Sequence, residues 1–401
     1  MEIISIPKRS DTKTILTLFG TRPEIIKLAP VIWAIERHSS KWRSVTVSSS
    51  QHTGLLRPFI REFGINIDHD LGVMTPGQTP NAVLARVVEA IEPLLFAERP
   101  DLLLVQGDTT TAIAGALAAF YARIPVVHVE AGLRTGDRYS PFPEEMNRRL
   151  ITQLADLHCA ATDKNVEILL AEGVQKKSIE LTGNPVVDTL QHILAHASIS
   201  SPLSTLLDSL RNKRLIVLTT HRRENFGQVM SSHLRALRRF VEQHEEIELI
   251  FSVHPNPSVR AVVDAEFTGV GRIHCIEPLE YADFIHLLSR AWLIVSDSGG
   301  IQEEAPSLGK PLLILRDTTE RPEVLECGVG KLVGHSGEHL EKLLEESLTD
   351  KTWFDVVNAV ENPFGKGDAG ERIASAIEKF LKAREDELLS LSCSKNNPAS
   401  R

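Results

Sequence analysis

Residues 292–304, Trp-Leu-Ile-Val-Ser-Asp-Ser-Gly-Gly-Ile-Gln-Glu-Glu, join an apolar run to a segment typical of a helix. The run Trp292–Val295 predicts a buried strand, and the glycines follow it at the turn into the helix. Glycines let the backbone approach an anion closely, and the first N–H groups of a helix point toward that anion. The turn therefore predicts a phosphate site in an α/β protein. Glu303 and Glu304 either stabilise the helix electrostatically or bind the hydroxyls of a sugar attached to the phosphate.

Length and composition bound the class of protein. At about 100–200 residues per domain, 401 residues predict two domains. The apolar fraction of 42% and the charged fraction of 24% are those of an ordinary globular protein. A net charge of −9 argues against broad nucleic-acid binding, so an anionic ligand needs a locally basic cleft.

Three features of the chain predict a cytoplasmic protein. The longest charge-free stretch, from Thr109 to Ala122, is too short to span a bilayer and is predicted to be a buried helix. The N-terminus, Met1 to Lys13, mixes charges and lacks the apolar core of a secretory signal. The cysteines are widely scattered, without the spacing of a metal site or a disulfide framework, so we expect them to be reduced.

Short apolar runs alternate with helix-length segments along nearly the whole chain, which is the pattern of βαβ units and a parallel sheet. The first series of strand candidates comprises Thr14–Phe19, Val45–Ser49, Asp101–Gln106, Val126–Glu130, His158–Ala161 and Ile179–Thr182. The second comprises Leu215–Thr219, Glu248–Val253, Ile273–Ile276, Trp292–Ser296, Pro311–Leu315 and Lys331–Val333. We therefore predict an α/β fold with two Rossmann-like, doubly wound parallel-sheet domains.

Polar, reactive residues follow nearly every predicted strand, and ligands of open α/β sheets bind at these carboxyl ends. In the first half they are Gly20-Thr21-Arg22-Pro23-Glu24 with Lys27, Gly107-Asp108-Thr109, Glu130 through Thr135, and Glu144 with Glu145. In the second half they are His221-Arg222-Arg223, His254, the Ser298 turn, and Asp317 through Arg321. Both rows are predicted to face one interdomain cleft.

Single groups allow a structural interpretation as well as a functional one. Gly20 with Arg22 is compatible with a tight turn, and Asp108 before three threonines with a helix N-cap. Glu130 differs, because it ends the strongly apolar run Val126–Val129, where a buried carboxylate needs a task or a partner. For Glu130 we therefore favour a functional role over a structural one.

Together these residues are several acids and bases facing cations and a phosphate turn, which suits a nucleotide sugar. The setting of His221 beside two arginines is that of an anion site, and no metal site is expected. Neither predicted domain opens with the glycine-rich GxGxxG fingerprint, so no NAD or other cofactor is indicated.

Six motifs in order resemble the bacterial non-hydrolysing UDP-N-acetylglucosamine 2-epimerases. They are residues 20–24 (GTRPE), 107–111 (GDTTT), 128–135 (HVEAGLRT), 220–224 (THRRE), 297–310 (DSGGIQEEAPSLGK) and 316–323 (RDTTERPE), and the similarity runs from about Lys13 to about Lys382. The resemblance implies a GT-B-like fold and an interdomain active site. It also implies a homodimer and conversion of UDP-N-acetylglucosamine to UDP-N-acetylmannosamine without NAD or metal.

The mechanism of that family, taken by resemblance, removes the C2 proton while UDP leaves C1, and then returns UDP and the proton. The catalytic residues it implies are Asp108, Glu130, Glu144 and His221. The residues implied to bind UDP and sugar are Arg22, Lys27, Arg134, Arg222, His254, Phe284, Ser298, Gly299, Gly300, Glu304 and Arg321. Of these, Glu304 is expected on the ribose and Phe284 at the uracil, while Glu303 has no assigned role.

The resemblance also implies the domain boundaries. We expect residues 13–185 to form the N-terminal domain on the sugar and catalytic side, completed by a C-terminal helix at 369–384. Residues 186–368 are expected to form the UDP-binding domain. The tail from 385 to 401 lacks apolar periodicity and is expected to be disordered.

Two comparisons with the motifs of that family bear on regulation and on reaction type. Gln51-His52 matches the segment of an allosteric second site in many bacterial members, but Thr53-Gly54 and Gly77 differ from the polar and basic residues expected nearby. These differences argue against allosteric activation. Thr21–Glu24 favours the non-hydrolysing type over relatives that release free N-acetylmannosamine.

Three alternatives stay open at this point. The first is a 2-epimerase of a modified UDP-sugar of the diacetamido-uronic acid type. The second is a GT-B glycosyltransferase, which needs fewer carboxylates around C2. The third is a non-catalytic nucleotide-sugar sensor, which would have lost Asp108 or Glu130, and neither loss is seen.

Overall fold

The chain divides into two compact units in a computed structural model. The residues described are 12–50, 53–75, 77–220, 222 and 225–395. Unit 1 contains Met1–Thr189 and Gly367–Arg401, and unit 2 contains Leu190–Lys366. The boundaries predicted from the sequence, after residues 185 and 368, lie close to these.

Unit 1 is built on a sheet in which the paired strands run parallel. Its seven described strands are β1 (Lys13–Phe19), β2 (Trp42–Ser48), β3 (His69–Asp70), β4 (Leu102–Gln106), β5 (Val126–Ala131), β6 (Leu157–Ala160) and β7 (Ile179–Leu181). Their order is β3-β2-β1-β4-β5-β6-β7, so the winding reverses between β1 and β4. That reversal is the topological switch point, where doubly wound sheets bind ligands.

Helices cover this sheet because its central strands are apolar on both faces. They are α1 (Arg22–Arg37), α2 (Thr53–Glu62), α3 (Pro80–Glu98), α4 (Thr110–Tyr121), α5 (Glu144–Leu154) and α6 (Asp163–Ala171). Small residues let α4 pack closely, since a Cβ atom at Gly115 would lie 2.3 Å from the Leu18 side chain. The predicted buried helix at Thr109–Ala122 is thereby confirmed.

Unit 2 repeats this architecture. Its six described strands are β8 (Arg214–Thr219), β9 (Ile247–Ser252), β10 (Ile273–Ile276), β11 (Leu293–Ser296), β12 (Leu312–Ile314) and β13 (Gly330–Leu332). The pairs are parallel and the order is β10-β9-β8-β11-β12-β13, which puts the switch point between β8 and β11. The predicted fold class, two doubly wound parallel-sheet domains, is confirmed.

The remaining helices follow in chain order. They are α7 (Val186–His196), α8 (Ser201–Ser209), α9 (Gln228–Gln243), α10 (Pro257–Phe267), α11 (Tyr281–Arg290), α12 (Gly299–Leu308), α13 (Glu323–Glu326), α14 (Gly337–Thr349), α15 (Lys351–Ala359) and α16 (Ala369–Lys395). Helix α16 belongs to unit 1 and packs against α1. None of the helices in the described ranges has the length and apolarity needed to cross a bilayer.

One prediction about elements was wrong, and one strand was missed. The predicted disorder from residue 385 is corrected by α16, which continues to Lys395, while residues 396–401 lie outside the described chain. Residues 385–390 are exposed and show no apolar periodicity. The helix continues through them because Glu and Leu favour helix and no glycine or proline interrupts it. Strand β3 was missed because two residues at a sheet edge carry no apolar run.

Candidate functional site

The loop after β1 is organised by a buried carboxylate, Glu24. Its Oε2 atom accepts hydrogen bonds from the backbone N–H groups of Gly20 and Thr21, at 3.0 and 2.8 Å, and from the Thr21 hydroxyl at 2.7 Å. Its Oε1 atom accepts from the Thr109 hydroxyl at 2.7 Å. Burial raises the pKa of Glu24 to about 7, against these four hydrogen bonds. Glu24 therefore ties together the loops after β1 and β4, on both sides of the switch point.

Glu130 at the end of β5 has both a strained backbone and a cationic partner. Its φ angle is 63°, the left-handed region that costs a residue with a side chain about 1–2 kcal/mol. Lys27 Nζ lies 2.5 Å from Glu130 Oε1, and Gln106 Nε2 donates to Glu130 Oε2. Both charged side chains are mostly buried. The predicted pair of site residues Lys27 and Glu130 is thus brought together.

Asp108 does not act as the helix cap that was one interpretation of its sequence. Thr109 is the N-cap of α4, and its hydroxyl accepts from the N–H of Ala112 at 3.0 Å. The Asp108 carboxylate instead accepts from Arg148, at 3.1 Å from Nε and 2.5 Å from Nη2. The Asn147 side chain donates to the Asp108 carbonyl at 2.8 Å. Asp108 is therefore a carboxylate held at the switch point by α5.

Two successive glutamates begin α5, and they differ in their surroundings. Glu144, predicted to be catalytic, is half-buried in the first turn. Glu145 is fully buried and accepts from the N–H of Thr135 at 3.0 Å and from Arg149 Nε at 2.9 Å. Arg148 also approaches Glu145, at 3.3 Å, and so links it to Asp108. Glu145 was noted at the helix start without a role, and Arg148 was missed because the sequence shows no separate signal for it.

Arg134, predicted to bind substrate, has several partners within unit 1. Its side chain is 6% exposed and donates to Glu172 at 2.9 and 2.7 Å. It also donates to Thr152 Oγ1 at 2.9 Å and to the carbonyl of Leu133 at 2.7 Å. These bonds fix the loop after β5 against α5 and α6. Arg22, by contrast, is exposed at the start of α1, with its guanidinium carbon 6.0 Å from the Phe59 ring centre.

In unit 2, Asp297 organises the switch point in the way that Glu24 does in unit 1. Its buried Oδ2 atom accepts from the Thr220 hydroxyl at 2.7 Å, the Arg222 N–H at 3.0 Å and the Asn225 side chain at 2.9 Å. The Asp297 carbonyl accepts from Arg222 Nε at 3.0 Å. Arg222, predicted to bind substrate, is therefore placed at the switch point by Asp297.

Helix α12 begins at the glycine turn that follows β11. Ser298 is its N-cap with extended backbone, and the Ser298 hydroxyl makes no capping hydrogen bond within the described residues. The amides of Gly299 and Gly300 begin the helix, where the macrodipole is positive. Glycine amides at a helix N-terminus are the arrangement from which an anion site at the carboxyl end of β11 was predicted.

Further along α12, the two glutamates have different partners. Glu304 is buried and accepts from the Tyr281 hydroxyl at 2.7 Å. Glu303 accepts from Arg321 Nε at 2.6 Å. Phe284 lies half-buried on α11, the helix that begins with Tyr281. The role of Tyr281 as a partner of Glu304 was missed by sequence reasoning.

The remaining predicted residues divide into described and undescribed ones. His254 is exposed after β9, and its Nδ1 atom accepts from the N–H of Asn256 at 3.2 Å. His221, Gln51 and His52 lie outside the described residues. Throughout the described ranges, no group of three or more His, Cys, Asp or Glu side chains could hold a metal ion.

The two parallel sheets, each with a polar loop cluster at its switch point, define an α/β protein of the GT-B-like class. The family model described as UDP-N-acetylglucosamine 2-epimerase matches residues 34–378, more than half of the chain. The chain therefore belongs to the UDP-N-acetylglucosamine 2-epimerase family.

Individual relatives agree with this assignment. The UDP-N-acetylglucosamine 2-epimerase of Bacillus subtilis is 43% identical over 363 residues, covering 90% of this chain and 94% of that protein. The structure of the Neisseria meningitidis enzyme bound to UDP-GlcNAc has a TM-score of 0.86 and 38% identity, covering 91% of this chain and 100% of that one. The Methanocaldococcus jannaschii enzyme with UDP-GlcNAc and UDP has a TM-score of 0.77 and 34% identity, covering 91% and 99%.

Proposed function

We propose that this protein interconverts UDP-N-acetylglucosamine and UDP-N-acetylmannosamine by eliminating UDP and adding it back. The observation that carries the proposal is that the two units hold different kinds of polar group. Unit 1 holds two carboxylates, Asp108 and Glu130, against Arg148 and Lys27. In unit 2, α12 begins after its N-cap Ser298 with the amides of Gly299 and Gly300. Carboxylates suit proton transfer at a sugar carbon, and the N-terminus of a helix suits a diphosphate leaving group.

Inversion at C2 without an oxidant requires proton-handling groups on both faces of the sugar. A single base would return the proton to the face from which it came. The proton-handling candidates are the unit 1 carboxylates Asp108, Glu130 and Glu144, with His221 as the fourth. Because Glu130 is held against Lys27 and Asp108 against Arg148, each carboxylate has a defined position before substrate arrives.

UDP leaves as an anion, and its departure must be stabilised by groups that are already in place. The N-terminus of α12 with Ser298, Gly299 and Gly300 supplies N–H groups for the diphosphate, and Arg22 supplies a cation. Glu304, oriented by Tyr281, binds the ribose hydroxyls. Phe284, on the same helix as Tyr281, lies against the uracil.

A proton NMR experiment in D2O tests this function. Purified protein is incubated with UDP-N-acetylglucosamine, and the C2 position is followed. We expect UDP-N-acetylmannosamine with deuterium at C2, because the abstracted proton is replaced from solvent. Unchanged substrate after long incubation would contradict the proposal. Free N-acetylmannosamine would identify a hydrolysing enzyme, and turnover only of a diacetamido-uronic acid nucleotide would identify the modified-sugar epimerase.

We further propose that the protein is a homodimer. Phe96 and Tyr121, at the ends of α3 and α4, are 78% and 70% exposed and line one groove, and aromatic residues are enriched at the centres of protein interfaces. The groove carries arginines at 99 and 123 and glutamates at 89 and 92, so two copies related by a two-fold axis can pair opposite charges. A second copy is the partner that this self-complementary face fits.

Light scattering coupled to gel filtration tests the dimer. Tyr121→Glu should halve the mass, because it removes an aromatic side chain from the interface and puts a charge in its place. Leu170→Glu, at a partly exposed leucine on α6, is the control and should leave the mass unchanged. A monomeric unmodified protein, or a dimer that tolerates Tyr121→Glu, would contradict this surface.

The compartment proposed for this enzyme is the cytoplasm. Cys159, Cys275 and Cys327 are free thiols, and Cys159 is buried. Unpaired cysteines are typical of a reducing compartment.

A further inference from the structure

Glu303 and Glu304 are neighbours on α12 but point in different directions. Successive residues of an α-helix are about 100° apart around its axis, so they do not share a face. Both side chains are buried, and Glu304 contacts Tyr281 while Glu303 contacts Arg321. The two carboxylates therefore need separate explanations. Glu304 is proposed to bind the ribose hydroxyls, whereas Glu303 has no proposed contact with the substrate.

Arg321 lies directly against the start of α12. A Cβ atom placed on Gly299 would be 2.8 Å from Arg321 Nη1 and 3.1 Å from its Cζ atom. This is closer than Cβ atoms approach their neighbours, so the guanidinium occupies the space that a side chain at 299 would take. Gly299 thus lets Arg321 come close to the start of α12, and a side chain at 299 would have to displace the guanidinium.

Two carboxylates hold Arg321 in this position. Arg321 Nε donates to Glu303 Oε1 at 2.6 Å, and Nη1 donates to Glu320 Oε1 at 2.6 Å. Arg316 Nη2 lies 2.8 Å from the other oxygen of Glu320. Burial would raise the pKa of Glu320, but Arg321 and Arg316 outweigh it and hold that pKa far below its usual range. Glu320 is therefore an anion at neutral pH.

Glu303 and Glu320 balance the charge of Arg321. The contribution of Arg321 to anion binding therefore depends more on the orientation of its N–H groups than on its net charge. The N–H groups of a guanidinium form a planar fork, and fixing two of them orients the rest. An Arg321 side chain released from Glu303 would keep its charge and lose that orientation.

We propose that Glu303 is a positioning residue that holds the Arg321 guanidinium over the N-terminus of α12, so that Arg321 and the helix amides bind the same diphosphate. This inference rests on the proposed function, because it takes the anion to be that of a UDP-sugar. It assigns a role to the glutamate that the sequence left unassigned. It also explains why Glu303 is as deeply buried as Glu304.

The test compares UDP affinity, by calorimetry, in Glu303→Ala, Arg321→Ala and the double variant. Glu303→Ala should weaken UDP binding by about tenfold, the loss expected for one charge-assisted hydrogen bond. Because Glu303 acts through Arg321, Glu303→Ala should cause no further loss in the Arg321→Ala background. Independent, multiplying losses would overturn the proposal.

Further variants separate positioning from a merely structural role. Glu303→Gln keeps an acceptor for Arg321 Nε, so it should recover most of the lost affinity and should raise KM more than it lowers kcat. Glu338→Ala, at an exposed glutamate in the first turn of α14, is the control and should leave UDP affinity unchanged. If Glu303→Gln binds UDP as weakly as a folded Glu303→Ala, the positioning role is contradicted. Because calorimetry needs no turnover, a protein that binds UDP but does not epimerise would contradict the proposed function and leave this inference intact.

Discussion

Replacing Asp108 with asparagine should lower kcat by about 10²- to 10⁴-fold, the usual contribution of a positioned acid or base. Asparagine has nearly the same shape, and its oxygen can still accept from Arg148, which contacts the Asp108 carboxylate at 2.5 and 3.1 Å. The bond from Asn147 to the main-chain carbonyl is unaffected. The local structure should therefore persist, and only the exchange of a proton is lost.

Affinity for UDP distinguishes this catalytic role from a structural one. The diphosphate site proposed at Ser298 belongs to unit 2, so UDP should bind Asp108→Asn nearly as tightly as it binds the unmodified protein. Asp163→Asn, at an exposed aspartate in the first turn of α6, is the matched control and should keep full turnover. If UDP binding or the melting temperature collapses in Asp108→Asn, Asp108 is a structural residue.

Acidification should cost the folded protein roughly 3 kcal/mol of stability through His128 alone between pH 7 and pH 4. Burial, helped by His158, Arg134 and Arg148, lowers the pKa of His128 from 6.5 to about 3. The unfolded chain therefore binds a proton below pH 6.5 while the folded chain does not. The stability that neutral His128 preserves is fully present above pH 6.5 and is lost as the pH falls toward 3.

Glutamine at position 128 provides the comparison. His128 Nε2 lies 2.7 Å from the Gly107 carbonyl, and the amide of a glutamine can donate there without titrating. Urea unfolding of both proteins should show the unmodified one losing roughly 3 kcal/mol more than His128→Gln on acidification. His196→Gln, at an exposed position of α7, should follow the unmodified curve. Parallel curves for His128→Gln would contradict the prediction.

The prediction compares the stability loss of the two proteins because two buried carboxyl groups change stability in the opposite direction on acidification. Burial raises the pKa of Glu24 to about 7 and the pKa of Asp188 to about 6. Each of these groups binds its proton more readily in the folded state, so each adds stability as the pH falls to its unfolded value. Their contributions are common to both proteins and cancel.

Several elements of the fold were predictable because their signals are local. Apolar runs of strand length, followed by glycine turns and helix-length segments, are set by residues close together in the chain. Two elements lack such a local signal. Strand β3 is a two-residue edge strand without an apolar run, and the extension of α16 is an exposed helix without an apolar face. Hydrophobic periodicity cannot detect elements that bury so little.

The candidate site was predictable as a set of residue types at strand ends, but not as a set of partners. Asp108 and Arg134 illustrate this. Asp108 was compatible with a helix cap, and the structure gives the cap to Thr109. Arg134 was predicted to bind substrate, and the structure surrounds it with Glu172 and Thr152. Each outcome depends on which side chains the packing of α5 and α6 brings to the loop.

The sequence by itself determined the two parallel-sheet domains and the family, since these follow from local pattern and motif order. Only the tertiary structure decided which charges meet. Lys27 and Glu130 are separated by 103 residues, Arg148 and Asp108 by 40, and Arg321 and Glu303 by 18. The physical reason is that an ion pair depends on the direction and burial of both side chains. Those are set when strands distant in the chain become neighbours in a sheet.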